Sequence, residues 1–386
     1  MRFSAPRPLR RAAVALVSRG PWRLAPFAHI ARKRAELGGP VDGPECFTGE
    51  LPLLPPELVH YDLPPSLLGQ KPATEPSGRR GFRYRDRGFW PHPGTSLFSL
   101  CDAGVATNEG IVYCPISRHA VAETVRSWTQ ARTSHPLLAS PRFPPAEELP
   151  GVTLSLLTLS GEGFYHFFLE ALPRLAALRG QFDRIDRILV NGNPGEYQQQ
   201  WLEHAGVPAA KLRFAHPQLH FRCEQLLFSG PAMADCRPTR GVVEALRGIC
   251  RHVAGSPQRW LWISRAGYTQ RDVTWERAWL ARFPRFESVT LAALPPAGQI
   301  ARFREAAVVA GPHGAGLATL VFAPPGVRVF ELFPDLHVKP NFWRLTRVAD
   351  GVATWAATDF SVPRDLAALA AAFESFVSRP ASAPAP

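Results

Sequence analysis

Val308-Val-Ala-Gly-Pro-His-Gly-Ala-Gly-Leu317 runs an apolar strand into a turn carrying Gly311, Gly314 and Gly316, and then into a short helix. Such a turn leaves backbone N–H groups unpaired at a helix N-terminus, where partial positive charge favours phosphate. His313, inside the turn, could donate a hydrogen bond to a phosphate or a sugar hydroxyl. The same glycines also suit a tight β-to-α connection that needs them for geometry alone, and the spacing is neither G-x-G-x-x-G nor a P-loop.

Around this turn strands and helices alternate. Strands are expected over 260–264, 288–291, 308–310 and 327–332, with helices over 273–283, 297–306, 317–322 and 366–377. An earlier series places strands over 152–159, 186–190, 211–215 and 224–229, with helices from about 163 and over 196–205. A helix over 241–253 follows the connection at 231–240. Alternation of this kind signals parallel βαβ layering, here twice over. Residues 79–150 read as short strands, 110–114 among them, plus one helix near 119–131. The first 78 residues hold 13 prolines, a density that forbids long helices and central strands. The expected organisation is a basic, Pro-rich extension (1–78), an acceptor-side Rossmann-like domain (79–235), a second Rossmann-like domain (236–378) and a Pro/Ala/Ser tail (379–386).

The 386 residues carry 44 Lys+Arg against 32 Asp+Glu, a formal net charge of +12. Nine basic residues and no acidic one fall in residues 1–35, so most of the excess sits in a leader and the remainder is nearly balanced. That argues against a broad nucleic-acid surface and leaves an anionic membrane as the leader's partner. No stretch reads as a transmembrane helix, since the longest uncharged run, 306–327, is broken by glycines and prolines. Six cysteines without C-x-x-C or zinc spacing fit a reducing compartment, so a cytoplasmic location is expected, at the inner face of a membrane.

Three groups of residues can carry chemistry. The glycine turn, 311–316, is the first. Arg265, just past the 260–264 strand, is joined by Arg271 and Glu276. Two forked guanidiniums can chelate a diphosphate, and the glutamate can accept from sugar or ribose hydroxyls; a surface arginine pair with a solvated glutamate is the plainer reading. The third is Phe164-Tyr-His-Phe-Phe-Leu-Glu-Ala-Leu-Pro-Arg-Leu175. His166, Glu170 and Arg174 share one helix face, and a His–Glu pair can serve as an oriented base or simply as a surface ion pair. Pro173 should kink that helix. None of the 12 aspartates lies two positions from another, so there is no Asp-x-Asp pair to hold a divalent ion on a diphosphate.

Together these motifs resemble glycosyltransferase family 61: Y-H-F-F-L-E-A-L-P-R-L (165–175), I-S-R (263–265), R-x4-E (271–276), Gln299-Ile300, G-P-H-G-A-G-L (311–317), P-G (325–326) and E-L (331–332). The resemblance covers about half of the chain, and departs from the family at Trp275, where Asn usually precedes the glutamate. It implies an α/β, GT-B-like architecture of two Rossmann-like domains facing a cleft, with the Pro-rich stretch as an N-terminal extension. It implies an inverting, metal-independent transfer from a nucleotide sugar to a glycan or lipid-linked glycan hydroxyl, as in surface-polysaccharide synthesis. His166 with Glu170 would be the base. Arg265, Arg271, Glu276, His313, Gly314, Ala315, Gly316 and Glu331 would hold the donor, and no cofactor or nucleic acid is expected. A nucleotide-sugar epimerase, or a non-enzymatic basic protein that binds membranes or polyanions, are the alternatives.

Overall fold

The computed structural model describes residues 22–36, 50–60, 88–127, 132–140, 145–216, 219–233, 236–251, 253, 255–268, 271–334, 338–362 and 365–379. The leader to residue 21, the apolar stretch within it, Cys46 and the tail from 380 lie outside these. The chain divides into two units, Met1–Pro55 with Gly94–Ala232, and Pro56–Pro93 with Met233–Pro386. Both are mixtures of helix and strand, an α/β protein.

The first unit is built on β1 (Arg23–Ala25), β2 (Glu50–Leu54), β5 (Thr95–Ala106), β6 (Ile111–Cys114), β7 (His119–Val121), β8 (Glu147–Ser155), β9 (Arg187–Val190), β10 (Leu212–Phe214) and β11 (His220–Ser229). Their order is β1-β7-β6-β5-β11-β8-β9-β10, with β2 on β5. Strands β11, β8, β9 and β10 are parallel, the βαβ half expected of a Rossmann-like unit. The other half is antiparallel through β11–β5, β5–β6 and β6–β7, which corrects the expectation of a wholly Rossmann-like domain. β8 is the strand at which connections reverse direction, β9 lying on one side and β11 on the other. The space past the carboxyl ends of β8 and β11 is therefore this unit's switch point, where open α/β sheets take ligands.

Two expectations fail here for physical reasons. The helix anticipated near 119–131 is, over the described residues 119–127, strand β7 and a turn, because His119 and Ala120 find partners on β6 and the parallel strand β1 covers the other edge. The Pro-rich stretch also supplies regular structure. Pro26 precedes the helix Phe27–Glu36, where its missing N–H costs nothing, and Pro52 sits in β2 beside a register shift.

In the second unit β12 (Arg259–Ile263), β13 (Phe286–Val289), β14 (Ala306–Pro312), β15 (Arg328–Phe333) and β16 (Val352–Ala357) form an all-parallel sheet ordered β13-β12-β14-β15-β16. Its switch point lies between β12 and β14, so the segments following Ile263 and Pro312 leave the sheet side by side at the ligand-binding edge. The helix Leu366–Ser378 drives Phe373 between Trp279 and Phe286, ring centroids 5.6 and 5.4 Å away. Burying such a ring contributes about 1.5–3 kcal/mol. A short ladder of β3 (Glu57–His60) and β4 (Phe89–His92) also belongs to this unit. The Glu57 carboxylate accepts from the backbone N–H groups of Arg240 and Gly241, at 2.9 and 3.1 Å, and so caps the helix Arg240–Ile249. Among the described residues no helix is long and apolar enough to cross a membrane.

Candidate functional site

At the switch point of the second unit β14 presses so closely on β12 that a Cβ at Gly311 would lie 2.7 Å from the Ile263 carbonyl oxygen. Gly311 also has φ +152°, so glycine is required here on both counts. The chain then turns through Gly314 into the short helix Ala315–Phe322, whose first N–H groups have no intrahelical partners. Arg247 steadies its far end, donating to the carbonyls of Val321 and Ala323 at 2.6 and 2.8 Å.

Both predicted arginines reach this loop. Arg271, held at φ +61°, donates from Nη1 to the His313 carbonyl at 2.9 Å. The Arg265 guanidinium lies over Gly314, where a Cβ would come within 2.5 Å of Nη1, and 4.9 Å from the Tyr268 ring centre. Burial pulls both guanidiniums below their usual range. Arg265 adds to this at Arg271, while Tyr268 and Glu331 oppose it at Arg265 and Arg271 respectively. Two half-buried cations side by side repel and lose hydration, and an anion bound to both relieves both costs.

Glu276 opens the helix Glu276–Arg282, one turn beyond Arg271. Its Oε1 accepts from the hydroxyls of Ser264 and Ser288, at 2.7 and 3.4 Å. Its Oε2 is buried without a hydrogen-bond partner among the described residues, so this oxygen is an acceptor waiting for a donor. Trp275, where the resembled family has Asn, turns inward: it packs near Trp279 and its indole N–H donates to the Asp359 carbonyl at 3.0 Å.

His313 is placed differently from the sequence expectation of a phosphate donor. Its ring is buried, lies 5.0 Å from the ring of Phe333 and 5.3 Å from that of Phe342, and its Nδ1 is 2.5 Å from Glu331 Oε1. Glu331 is pushed well above the usual carboxyl range by burial, against the pull of Arg271. Glu331 therefore holds the His313 ring while Arg271 holds its carbonyl, and the two together fix the loop.

In the first unit His166 and Glu170 come together, Nδ1 to Oε1 at 3.0 Å. The helix expected from Gly163 is one α turn, Phe164–His166, followed by a wider turn over Phe167–Ala171 in which the Leu172 N–H bonds back to the Phe167 carbonyl. That widening makes room for Pro173, which has no N–H to give, and a tight 3-10 stretch over Leu172–Leu178 follows. Glu170 is wholly buried, so the pair is not a surface ion pair. Its Oε2 accepts from Thr158 Oγ1 at 3.2 Å and from Arg126 Nη1. Burial, the largest influence, pushes the Glu170 carboxyl up, but the hydrogen bonds and charges of His166 and Arg126 outweigh it and leave it below its usual range. Arg174 is turned into the core, donates to the Leu157 carbonyl at 3.0 Å, and is lowered by burial to about 10. Arg126 and Thr158 were not legible as site residues, since nothing in their local sequence ties them to Glu170.

Among the described residues no three His, Cys, Asp or Glu side chains converge into a metal site. No curated protein matches this chain. Residues 164–330, which span His166, Glu170, both arginines, Glu276 and the glycine turn, match the family model described as Glycosyltransferase 61, and on that match the protein is a glycosyltransferase.

Proposed function

We propose that the protein is an inverting, metal-independent glycosyltransferase of the GT-B plan, moving a sugar from a nucleotide-sugar donor to a glycan or lipid-linked glycan hydroxyl. The observation that carries this reading is the convergence of Arg265 and Arg271 on the 311–316 loop at the switch point of the all-parallel sheet. In the proposed reaction an acceptor oxygen attacks the anomeric carbon opposite the diphosphate. His166, held by Glu170, takes the acceptor's proton, worth about 10²–10⁴-fold. The negative charge that grows on the departing diphosphate meets the two guanidiniums and the first N–H groups of the 315–322 helix, donors that are in place beforehand. Glu276 Oε2 would accept from a hydroxyl of the donor's sugar or ribose. The basic leader fits a role at the inner face of a membrane, in synthesis of a surface polysaccharide.

Thermal unfolding against a panel of nucleotide sugars tests the reading. A true donor adds about 2.7 kcal/mol of stability at a hundredfold excess over its Kd. Arg265→Ala should abolish that shift, and His166→Ala should keep it while removing turnover. A His166→Ala enzyme that still transfers sugar would reject the base, and an Arg265→Ala protein that still binds donor would reject the donor site. Donor incubated without acceptor should be hydrolysed slowly at most; a changed sugar would mean an epimerase.

A further inference from the structure

We infer that Arg126 is the positioning residue of the His166–Glu170 pair: its positive charge on the far carboxylate oxygen keeps Glu170 an anion that accepts from His166, which sets the tautomer of the ring. The inference rests on the proposed role of His166 for its catalytic meaning, but the tautomer itself can be read without it.

Arg126 comes from the loop after β7, 44 residues from Glu170 and outside the segment that matches the family model. Every polar group that touches Glu170 is a donor when the pair is so arranged. Thr158 Oγ1 and Arg126 Nη1 donate to Oε2, and His166 Nδ1 reaches Oε1. A guanidinium cannot accept, so the oxygen facing it carries no proton. The positive charge of Arg126, with the Thr158 hydrogen bond on the same oxygen, favours the ionised carboxylate over a carboxyl protonated on Oε1, and the remaining oxygen of that anion accepts from Nδ1–H. Nε2 is then the ring nitrogen with the basic lone pair, the form a general base requires. The titratable groups around this carboxylate are Arg126, His166 and the buried Arg174, and a cavity of about 10 Å³, room for one water, lies beside Arg126 and Arg174, lined also by Glu109 and Glu123.

The His313–Glu331 pair is the internal contrast. Its carboxyl is equally buried, but among the described residues no cation hydrogen-bonds its second oxygen, and burial pushes the carboxyl well above its usual range. A protonated carboxyl donates to Nδ1 and leaves the proton of the ring on Nε2. On this reasoning the same two side-chain types favour opposite tautomers, and the difference is whether an arginine sits on the carboxylate.

Histidine-selective ¹⁵N labelling of the full chain, read by long-range ¹H–¹⁵N correlation at mildly alkaline pH, tests this without any donor. His166, assigned by its loss in His166→Gln, should carry its proton on Nδ1. In Arg126→Met the buried Glu170 should take up a proton and donate it to Nδ1, moving the ring proton to Nε2, whereas Arg126→Lys should keep the wild-type pattern. Turnover with the nucleotide sugar that stabilises the wild type most should fall about 10²–10⁴-fold in Arg126→Met with donor KM unchanged. A wild-type His166 protonated on Nε2, or Met and Lys variants with the same spectrum, overturns the inference, and the wild-type spectrum and the Lys variant decide it if the Met variant does not fold. Because the tautomer is read directly, a His166→Ala enzyme that still turns over would overturn the base assignment alone.

Discussion

Gly314→Ala isolates the donor grip without removing a charge. Gly314 has φ −172°, extended backbone open to any residue, so alanine brings no strain of its own. The new Cβ would lie 2.5 Å from Arg265 Nη1, so the guanidinium must retreat by about 1 Å to reach ordinary contact. The obstructing atom is the end of a flexible side chain, and the cost to folding should stay within about 0.5 kcal/mol. The cost to binding is larger, because a charge-assisted bond is lost at that displacement. Such bonds contribute about 1.5–3 kcal/mol, which converts to roughly 10- to 150-fold in Kd. The assay is calorimetric titration of wild type and variant with UDP, GDP, CDP and ADP, using whichever binds the wild type, alongside urea unfolding of both. Unchanged affinity with unchanged stability would show that Arg265 does not touch the diphosphate, and the donor site would have to be sought elsewhere.

Three further outcomes follow from the same site. Gly311→Ala meets the Ile263 carbonyl at 2.7 Å and keeps φ +152°, so it should lose about 1–3 kcal/mol or more in urea unfolding, where Gly314→Ala does not. Glu331→Gln tests the neutral carboxyl. A folded-state value raised above the usual 4.5 gives stability that is full below 4.5 and lost as pH climbs toward the folded value. Glutamine does not titrate, so the variant should gain on the wild type as pH rises above about 4.5, and a gain as pH falls would contradict the assignment. Trp275→Asn, which installs the residue usual in the resembled family, should cost about 3–5 kcal/mol through the cavity left beside Trp279 while donor preference stays as it was. Thermal scans with the nucleotide panel read both effects.

The parallel sheet of the second unit was largely legible, because its first four strands are short runs closed by turns and the order of motifs along the chain is the order of strand ends. The helix Asn341–Val348 and the last strand, Val352–Ala357, were not. Asn341–Val348 hides its period because Arg344 and Thr346 are buried along with the apolar residues, and Val352–Ala357 is too rich in alanine to stand out as a strand. In the first unit the direction of pairing was invisible: β5 meets β11 through partners more than a hundred residues apart, and no local pattern records that. His166 and Glu170 were found by their spacing on one helix turn. Arg126 was missed because its tie to Glu170 exists only after β7 has folded against β6, and a lone arginine in a chain with so many carries no signal.

The two histidine–carboxylate pairs show why spacing and residue type do not by themselves assign a base. His166–Glu170 and His313–Glu331 have the same Nδ1–Oε1 contact, at 3.0 and 2.5 Å. What separates them is the second carboxylate oxygen. On Glu170 it is bound by Arg126 and Thr158, so negative charge survives burial and is available to stabilise an imidazolium. At Glu331 the neighbouring cation, Arg271, gives its hydrogen bond to the His313 carbonyl, and burial pushes the carboxyl well above its usual range. Protonating His313 would place a buried imidazolium beside Arg265 and Arg271, next to a carboxyl that burial disfavours as an anion. Geometry of attack points the same way. In the proposed inversion the base must stand on the acceptor's side of the anomeric carbon, whereas His313 belongs to the very loop assigned to the leaving diphosphate. Charge and stereochemistry thus both favour His166 over His313 as the base of the proposed transfer.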